Sequence, residues 1–241
     1  HINYFKEKEV FNSIIYTIWQ CFFVVIIKSF NFVISLIIHS MKHIIYLVTI
    51  ILATITCNAQ DWKTYPYTPP GSLISFSTDE GRHVGEPVEW WYTSGHFTGE
   101  TSGKEYSYML TYFYYPTSVS IFDFEGFRIL NITEEATGVF YQETKPIVTY
   151  STLSTTDLDI AVNLPSGPEF WRNKVDGSSN PIPFNYELSA SSSTANINFE
   201  LDTTKRPLIL GGDGYFEQGL SNYTYYYSQT ANTLTGSLTL N

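Results

Sequence analysis

The stretch EPVEWWYTSGHF, residues 86–97, decides the fold class of this chain. A second aromatic run, EYSYMLTYFYY, follows at 105–115, and the residues TGETSGK lie between the two runs. Tyr, Trp, Phe and Thr favour β-strands, and a short connection containing Gly is typical of a hairpin. The two runs therefore predict an antiparallel β-hairpin.

Side chains alternate between the two faces of a strand, so the first run divides into two sets. One face carries Trp90, Tyr92, Ser94 and His96, and the other carries Glu89, Trp91, Thr93 and Phe97. The second run is aromatic on both faces as well. We expect one face to pack against a core and the other to line a cavity or meet another domain, and the sequence leaves open which is which.

The chain after residue 59 reads as β-structure throughout. No window shows a sustained apolar period of 3.6 residues, and short runs rich in Tyr, Phe, Thr and Val alternate with Gly, Pro, Asn and Ser. Further strands are predicted at 118–124, 127–133, 137–143, 158–164, 184–190, 195–201, 222–230 and 234–240. By composition, PSGPEFWRNKVDGSSNPIP at 165–183 is predicted to be a long loop. Many short strands at regular spacing favour an all-β barrel or sandwich.

Residues 41–59 have the composition of an export signal. A basic start at Met41–His43 precedes the apolar run IIYLVTIILATIT, and Cys57 and Ala59 occupy the positions that signal peptidase reads. We expect cleavage after Ala59 and a secreted or periplasmic product. A lipoprotein anchor on Cys57 is the alternative.

Residues 1–40 precede the first methionine, Met41. Their bias towards Ile, Phe, Asn, Lys and Ser favours translated sequence upstream of the true start over folded protein. The alternative is a membrane helix, since VFNSIIYTIWQCFFVVII is long and apolar enough to span a bilayer.

The formal net charge of the chain is −10, and removal of residues 1–59 would make the remainder more acidic by taking four Lys and two Glu. Both cysteines and all histidines except His83 and His96 would go as well. An acidic chain without thiols cannot depend on disulfides and repels nucleic acid and anionic membrane surfaces. We therefore expect no nucleic-acid partner and no stable membrane insertion of the mature chain. The oligomeric state stays open.

Two separated segments carry a resemblance to a known family. E-W-W-Y-x-x-G-H-F at Glu89–Phe97 leads into Y-x-Y-x-L-T-Y-F at Tyr106–Phe113, and KRPLILGGDGYFEQGLSNYTYYYSQT follows at 205–230. Together with LTGSLTL at 234–240, these motifs closely resemble the AttH-like family. That lipocalin-like family also includes bacterial carotenoid 1,2-hydratases and related fungal hydratases and cyclases.

The resemblance implies a lipocalin-like antiparallel β-barrel or sandwich that is the first of two domains, the second missing or only begun. We place the lipocalin-like domain at 60–204, and its end or the entry to a truncated second domain at 205–241. The sequence departs from the family at Ala231 and Asn232, where relatives usually have an arginine nearby. The family's Trp-x-Asp-His-x-Trp-Gly type of motif is also missing from this sequence.

The implied chemistry is hydration, isomerisation or cyclisation at carbon–carbon double bonds without a cofactor. Glu89 is the predicted acid, because a carboxyl flanked by tryptophans would be desolvated, and His96 is predicted to position water or relay a proton. The predicted ligand-binding rings are Trp91, Tyr92, Tyr108 and Tyr112, whose faces would stabilise positive charge. Each of these residues also has a purely structural interpretation, Glu89 as a hydrogen-bond acceptor and the rings as core.

Other classes of site lack the residues or motifs that they need in this sequence. Two histidines and no cysteines after residue 59 make a zinc site improbable, and no nucleophile elbow, phosphate loop or dinucleotide fingerprint occurs. The sequence therefore predicts no cofactor, no metal and an apolar small-molecule ligand. Two alternatives stay open: a non-catalytic carrier of hydrophobic ligands, and a glycan-binding β-module. His83 is expected near the surface, and Asp213 in a turn.

Overall fold

The computed structural model describes residues 61–116 and 123–241, together with Lys28, Ile34, His39, Met41 and Lys42. The chain divides into two compact units, 1–60 and 61–241, and the second is described below. Apart from those five residues, the predicted upstream segment and signal peptide lie outside the described part, as does most of the predicted strand at 118–124. Among the described residues, no helix is long and apolar enough to cross a membrane.

The unit is built almost wholly from strands. A short 3₁₀ helix spans Thr78–Glu80. The strands described by the structure are β1 Glu89–Thr98, β2 Glu105–Tyr114, β3 Gly126–Glu134, β4 Val139–Ile147, β5 Thr152–Leu153, β6 Asp159–Leu164, β7 Gly167–Val175, β8 Pro181–Ser191, β9 Ala195–Thr203, β10 Leu208–Ile209, β11 Tyr215–Glu217, β12 Tyr223–Tyr225, β13 Tyr227–Ser228 and β14 Asn232–Leu240.

Two antiparallel sheets carry the fold. One has four strands in the order β1-β2-β3-β4, and the other has six in the order β14-β9-β8-β7-β6-β5. Two small pairs, β10 with β13 and β11 with β12, lie between β9 and β14 in the chain. The predicted hairpin is confirmed as β1 paired with β2, with Trp91 opposite Tyr112. The all-β prediction is confirmed as well.

The sheets enclose one large apolar core. Their inward side chains form a single cluster that includes Leu110 and Ile132 from the four-stranded sheet and Leu188 and Ile197 from the six-stranded sheet. Strand alternation explains the pattern, since every second residue of β2, β3 and β9 is buried. Because no pairing joins these two sheets among the described residues, the arrangement is a sandwich.

A buried ion pair crosses the core. Arg128 on β3 donates from Nε and Nη2 to the two carboxylate oxygens of Glu169 on β7, at 3.0 and 2.9 Å. Tyr112 and the backbone N–H of Ser191 also donate to this carboxylate, at 3.1 and 3.0 Å. Arg128 and Glu169 are both almost fully buried. Each charge is therefore compensated inside the core, which buried ions require.

The predicted loop at 165–183 is wrong, because β7 occupies its centre and β8 begins at Pro181. The inward positions of β7 are Glu169, Trp171 and Asn173, of which two are polar. Glu169 is satisfied by Arg128, and the Asn173 side chain accepts from the backbone N–H of Leu158 at 3.0 Å. Tertiary partners therefore let a strand form where composition alone indicated a loop.

A second, smaller core holds the segment that precedes β1. Tyr67, Ile74, Phe76 and Phe184 form this cluster, and a bridge pairs Tyr67 with Phe76. Phe184 contacts several of the other rings, including Phe76 at a centroid distance of 5.2 Å. The segment is thereby fixed over β8, and the 3₁₀ helix that follows is held in place.

Candidate functional site

A cleft of about 1170 Å³ opens beside the first half of β1. Its lining comes from the 3₁₀ helix and the segment after it, from β1, from the inner face of the six-stranded sheet and from residues 218–230. Trp91, Trp171, Tyr186 and Leu201 form its inner wall, and all four are buried. Aromatic rings, carboxyls and hydroxyls share the lining, and a concave site of this size is a candidate small-molecule site.

Glu80 is the buried acid of this cleft. It ends the 3₁₀ helix and is 1% exposed. Tyr65 donates to its Oε2 at 2.6 Å, Gln229 donates to its Oε1 at 3.0 Å, and the Tyr186 hydroxyl donates to the same Oε1. Burial raises the pKa of Glu80 to about 7, although these three hydrogen bonds favour the ionised form. Its carboxyl is therefore partly protonated at neutral pH.

Neighbouring backbone fixes where Glu80 lies. The indole N–H of Trp91 on β1 donates to the Glu80 carbonyl at 2.9 Å, which ties the 3₁₀ helix to the sheet. The next residue, Gly81, approaches the backbone so closely that a Cβ would lie 2.9 Å from the carbonyl oxygens of Ser154 and Asp157. A residue without a side chain is therefore needed directly after the acid.

His83 lies between two carboxylates at the edge of the cleft. Its Nδ1 is 2.6 Å from Glu89 Oε1, and its Nε2 is 2.9 Å from Asp79 Oδ1. The backbone N–H of His83 also donates to both Glu89 oxygens, at 2.8 and 3.0 Å. The hydrogen bonds to Asp79 and Glu89 raise the pKa of His83 to about 10. Burial alone would raise the pKa of Asp79, but its bonds to His83 and Ser75 hold it below the usual value. His83 is therefore an imidazolium at neutral pH.

The AttH-like family model matches residues 67–241. The chain belongs to the AttH-like family. Among solved structures, it is similar to a Nitrosomonas europaea protein assigned to AttH, with 20% identity and a TM-score of 0.55, covering 72% of this chain and 52% of that one. It is also similar to kievitone hydratase from Nectria haematococca, with 16% identity and a TM-score of 0.51, covering 73% and 51%. Comparison with curated proteins gives no match.

These likenesses are likenesses of fold. The chain spans about half the length of either solved structure, so the activities of those whole proteins do not transfer directly to it. The chemistry of this AttH-like chain is therefore inferred from the residues of its own cleft.

The structure does not bring the two predicted catalytic residues together. Glu89 lines the cleft, paired with His83. His96 lies on the opposite face of β1, where its side chain is exposed and its Nδ1 is 3.5 Å from Glu135 Oε1. Seven residues of strand separate the two by about 23 Å at roughly 3.3 Å each. His96 does not line the cleft of this AttH-like chain.

The four predicted ligand-binding rings occupy two different environments. Trp91 and Tyr92 both line the cleft, but from opposite faces of β1, and Tyr92 contacts the hydroxyl of Tyr226. Tyr108 is buried in the core, 2.9 Å from the Thr93 hydroxyl, and Tyr112 donates to Glu169. Neither Tyr108 nor Tyr112 lines the cleft. Strand alternation grouped Tyr108 and Tyr112 on one face, and that face is the core.

The sequence pattern does not indicate Glu80 as a site residue, and it places His83 only near the surface. Glu80 stands in the polar stretch STDEGR, and its burial depends on residues 15 to 149 positions away that no local pattern reveals. His83 did carry a signal, because the spacing Asp79–His83 is i, i+4 and few histidines occur in the chain. Among the described residues, no group of three or more His, Cys, Asp or Glu is arranged to hold a metal ion.

Proposed function

We propose that the cleft binds an apolar small molecule and that Glu80 supplies a proton for addition of water to a carbon–carbon double bond, without a cofactor. The observation that carries this proposal is a buried carboxyl with a pKa of about 7 in the wall of a large aromatic cavity. Strongly shifted acids in clefts are candidates for general acid catalysis. The proposal includes export through the signal at 41–59.

The proton has a route from Glu80 to the cleft. Tyr186 is hydrogen-bonded to Glu80 and lines the cleft, and because burial raises its pKa well above the usual value, its hydroxyl is neutral before the step. In the proposed step, protonated Glu80 donates to the Tyr186 oxygen while the Tyr186 O–H turns to the alkene, and Tyr186 gives its own proton to an alkene carbon as it takes the proton of Glu80. Water then attacks the cationic carbon, and its released proton returns through Tyr186 to the Glu80 carboxylate. Over the cycle the alkene π bond and one O–H bond of water are replaced by one C–H and one C–O bond, and Glu80 and Tyr186 each end with the proton they began with.

Aromatic rings in the wall suit the intermediate of this step. Trp91 and Trp171 lie in the same cleft as Tyr186, and a ring face stabilises a nearby cation by about 0.5–2 kcal/mol. The name of kievitone hydratase, a structural neighbour, supports the same reaction class.

Glu80→Gln tests the proposal, because glutamine keeps the shape of the side chain and removes its titrating proton. Kievitone serves as the first test substrate, with mass spectrometry in oxygen-18 water to detect one added water. We expect the substitution to lower turnover about 10²- to 10⁴-fold, the usual contribution of a general acid. Glu105→Gln, at an exposed strand end, is the matched control and should leave turnover unchanged. Equal turnover by Glu80→Gln and wild type would rule out Glu80 as the acid.

A second candidate function is a non-catalytic carrier with the same cleft. It is favoured by the full set of hydrogen bonds at Glu80, since Tyr65, Tyr186 and Gln229 join three separate chain segments through this carboxyl. A carrier would bind hydrophobic probes and release every test compound without added water. That outcome, with Glu80→Gln less well folded than wild type, would favour the carrier over the enzyme.

A further inference from the structure

The ionisable side chains that line the cleft are almost all acidic. Four carboxyl side chains line it, those of Asp79, Glu80, Glu86 and Glu89, and His83 is the one basic side chain among the lining residues that the structure describes. His83 compensates one of its two carboxylate partners. By formal charge the lining is net negative, with four carboxyl groups against one imidazolium.

Among the described residues, two lining carboxyls form no ion pair, Glu80 and Glu86, and Glu86 is the more exposed of the two. Its oxygens accept from the Tyr223 hydroxyl at 3.1 and 3.3 Å, and it is half-buried at the mouth of the cleft. Its hydrogen-bond partner is a phenol, and no Lys, Arg or His of the described part of the chain forms an ion pair with it. A cation that enters the cleft would therefore meet an uncompensated carboxylate.

Aromatic ring faces near Glu86 are the second kind of group that a site for an organic cation needs. Tyr223, Tyr225 and Tyr226 follow one another closely on the segment that faces β1, and Trp90 and Tyr92 lie on β1 itself. Tyr215, Tyr223 and Tyr225 pack together with centroid distances of 5.3 to 5.9 Å. Aromatic faces and carboxylates together are the groups that recognise alkylammonium ions.

We propose that the cleft selects an organic cation, namely a protonated amine carried on an apolar body. This inference rests on the proposed function, because it names the ligand class of the same cleft. The apolar body packs against the buried rings of the inner wall, and the ammonium group lies towards Glu86 and the tyrosines at the mouth. Carboxylates and phosphates are disfavoured by the net negative lining.

A matched set of three probes tests the inference by isothermal titration calorimetry at pH 7. Phenylbutylamine, phenylbutanol and phenylbutyrate share one apolar skeleton and differ in charge. We expect the amine to bind about tenfold more tightly than the alcohol, and the carboxylate to bind most weakly. An amine no tighter than the alcohol would overturn the inference while leaving small-molecule binding intact. Failure of all three probes would remove the proposed ligand site together with the inference.

Two variants separate a local effect from the overall charge of the protein. Glu86→Gln should remove most of the amine preference and leave the affinity for phenylbutanol unchanged. Glu100→Gln makes the same charge change in the exposed β1–β2 turn, away from the cleft, and should alter neither affinity. An amine preference that persists in Glu86→Gln, or that falls equally in both variants, would contradict a cation site at the mouth.

Discussion

The titration of Glu80 should make the stability of the folded protein depend on pH, and Glu80→Gln should remove that dependence. The pKa of Glu80 rises from its ordinary 4.5 to about 7 in the folded protein. The folded state therefore binds this proton more tightly than the unfolded state does, and stability is lost as pH rises from 4.5 through 7. At 1.36 kcal/mol per pKa unit, the loss from this one group is about 3 kcal/mol.

The assay is urea unfolding of wild type and Glu80→Gln at pH values from 4.5 to 8. The free energy of unfolding of wild type minus that of the variant should fall by about 3 kcal/mol between pH 4.5 and 7 and then level off. Other titrating groups cancel in this difference because both proteins share them. Glu105→Gln, which changes an exposed glutamate, should give a nearly flat difference.

A difference between wild type and Glu80→Gln that is constant with pH, or that grows as pH rises, would contradict the raised pKa of Glu80. A constant difference would mean that Glu80 titrates at its ordinary pKa in the folded protein. A difference that grows would mean that hydrogen bonds from Tyr65, Tyr186 and Gln229 outweigh burial and hold the carboxylate ionised. Either result would leave no proton on Glu80 for catalysis at neutral pH.

Two further predictions concern the ionic contacts of the unit. Glu169→Gln should lower the free energy of unfolding by up to about 3–5 kcal/mol in urea, because it removes the fully buried counter-charge of Arg128 and leaves only Glu143, 3.1 Å away, to pair with it. Glu187→Gln, which breaks the exposed pair with Arg172, should cost at most about 1 kcal/mol, and equal losses in the two variants would contradict the argument. NMR of the imidazole ring should show His83 still protonated at pH 8, because the pKa of His83 is about 10. The stabilisation that protonated His83 contributes should be lost only as pH rises through that value. Asp79→Asn should lower the pKa of His83, and titration of wild-type His83 near pH 6.5 would refute the triad with Asp79 and Glu89.

The hairpin and the all-β class could be predicted from the sequence, which left barrel and sandwich open, because strand formation here follows local alternation. In β1, Trp91 and Thr93 are buried while Trp90, Tyr92 and Ser94 are exposed, as a period of two requires. The same rule separated the faces of β2. Alternation does not say which face meets the core, and the placement of Tyr108 and Tyr112 in the core was therefore open.

The remaining features depend on partners distant in sequence. The composition of 165–183 predicts a loop, and β7 forms there because Arg128 and the backbone of Leu158 make its inward Glu169 and Asn173 suitable for a core. Glu80 was overlooked because its pKa is set by burial beneath segments that reach as far as Gln229. Alternation in β1 did separate Glu89 from His96, and Glu89 instead pairs with His83 from the preceding turn.

The proposed function requires that the cleft beside Glu80 holds an apolar ligand. Nile red, a neutral hydrophobic dye, tests this most directly when its affinity is measured for wild type and two matched variants. Ser94 and His96 both lie on the exposed face of β1, but only Ser94 lines the cleft. We predict that wild type and His96→Trp bind the dye equally and that Ser94→Trp, which adds bulk within the cleft, binds it about tenfold more weakly. Binding by Ser94→Trp that equals wild type, or no binding by wild type, would contradict the claim.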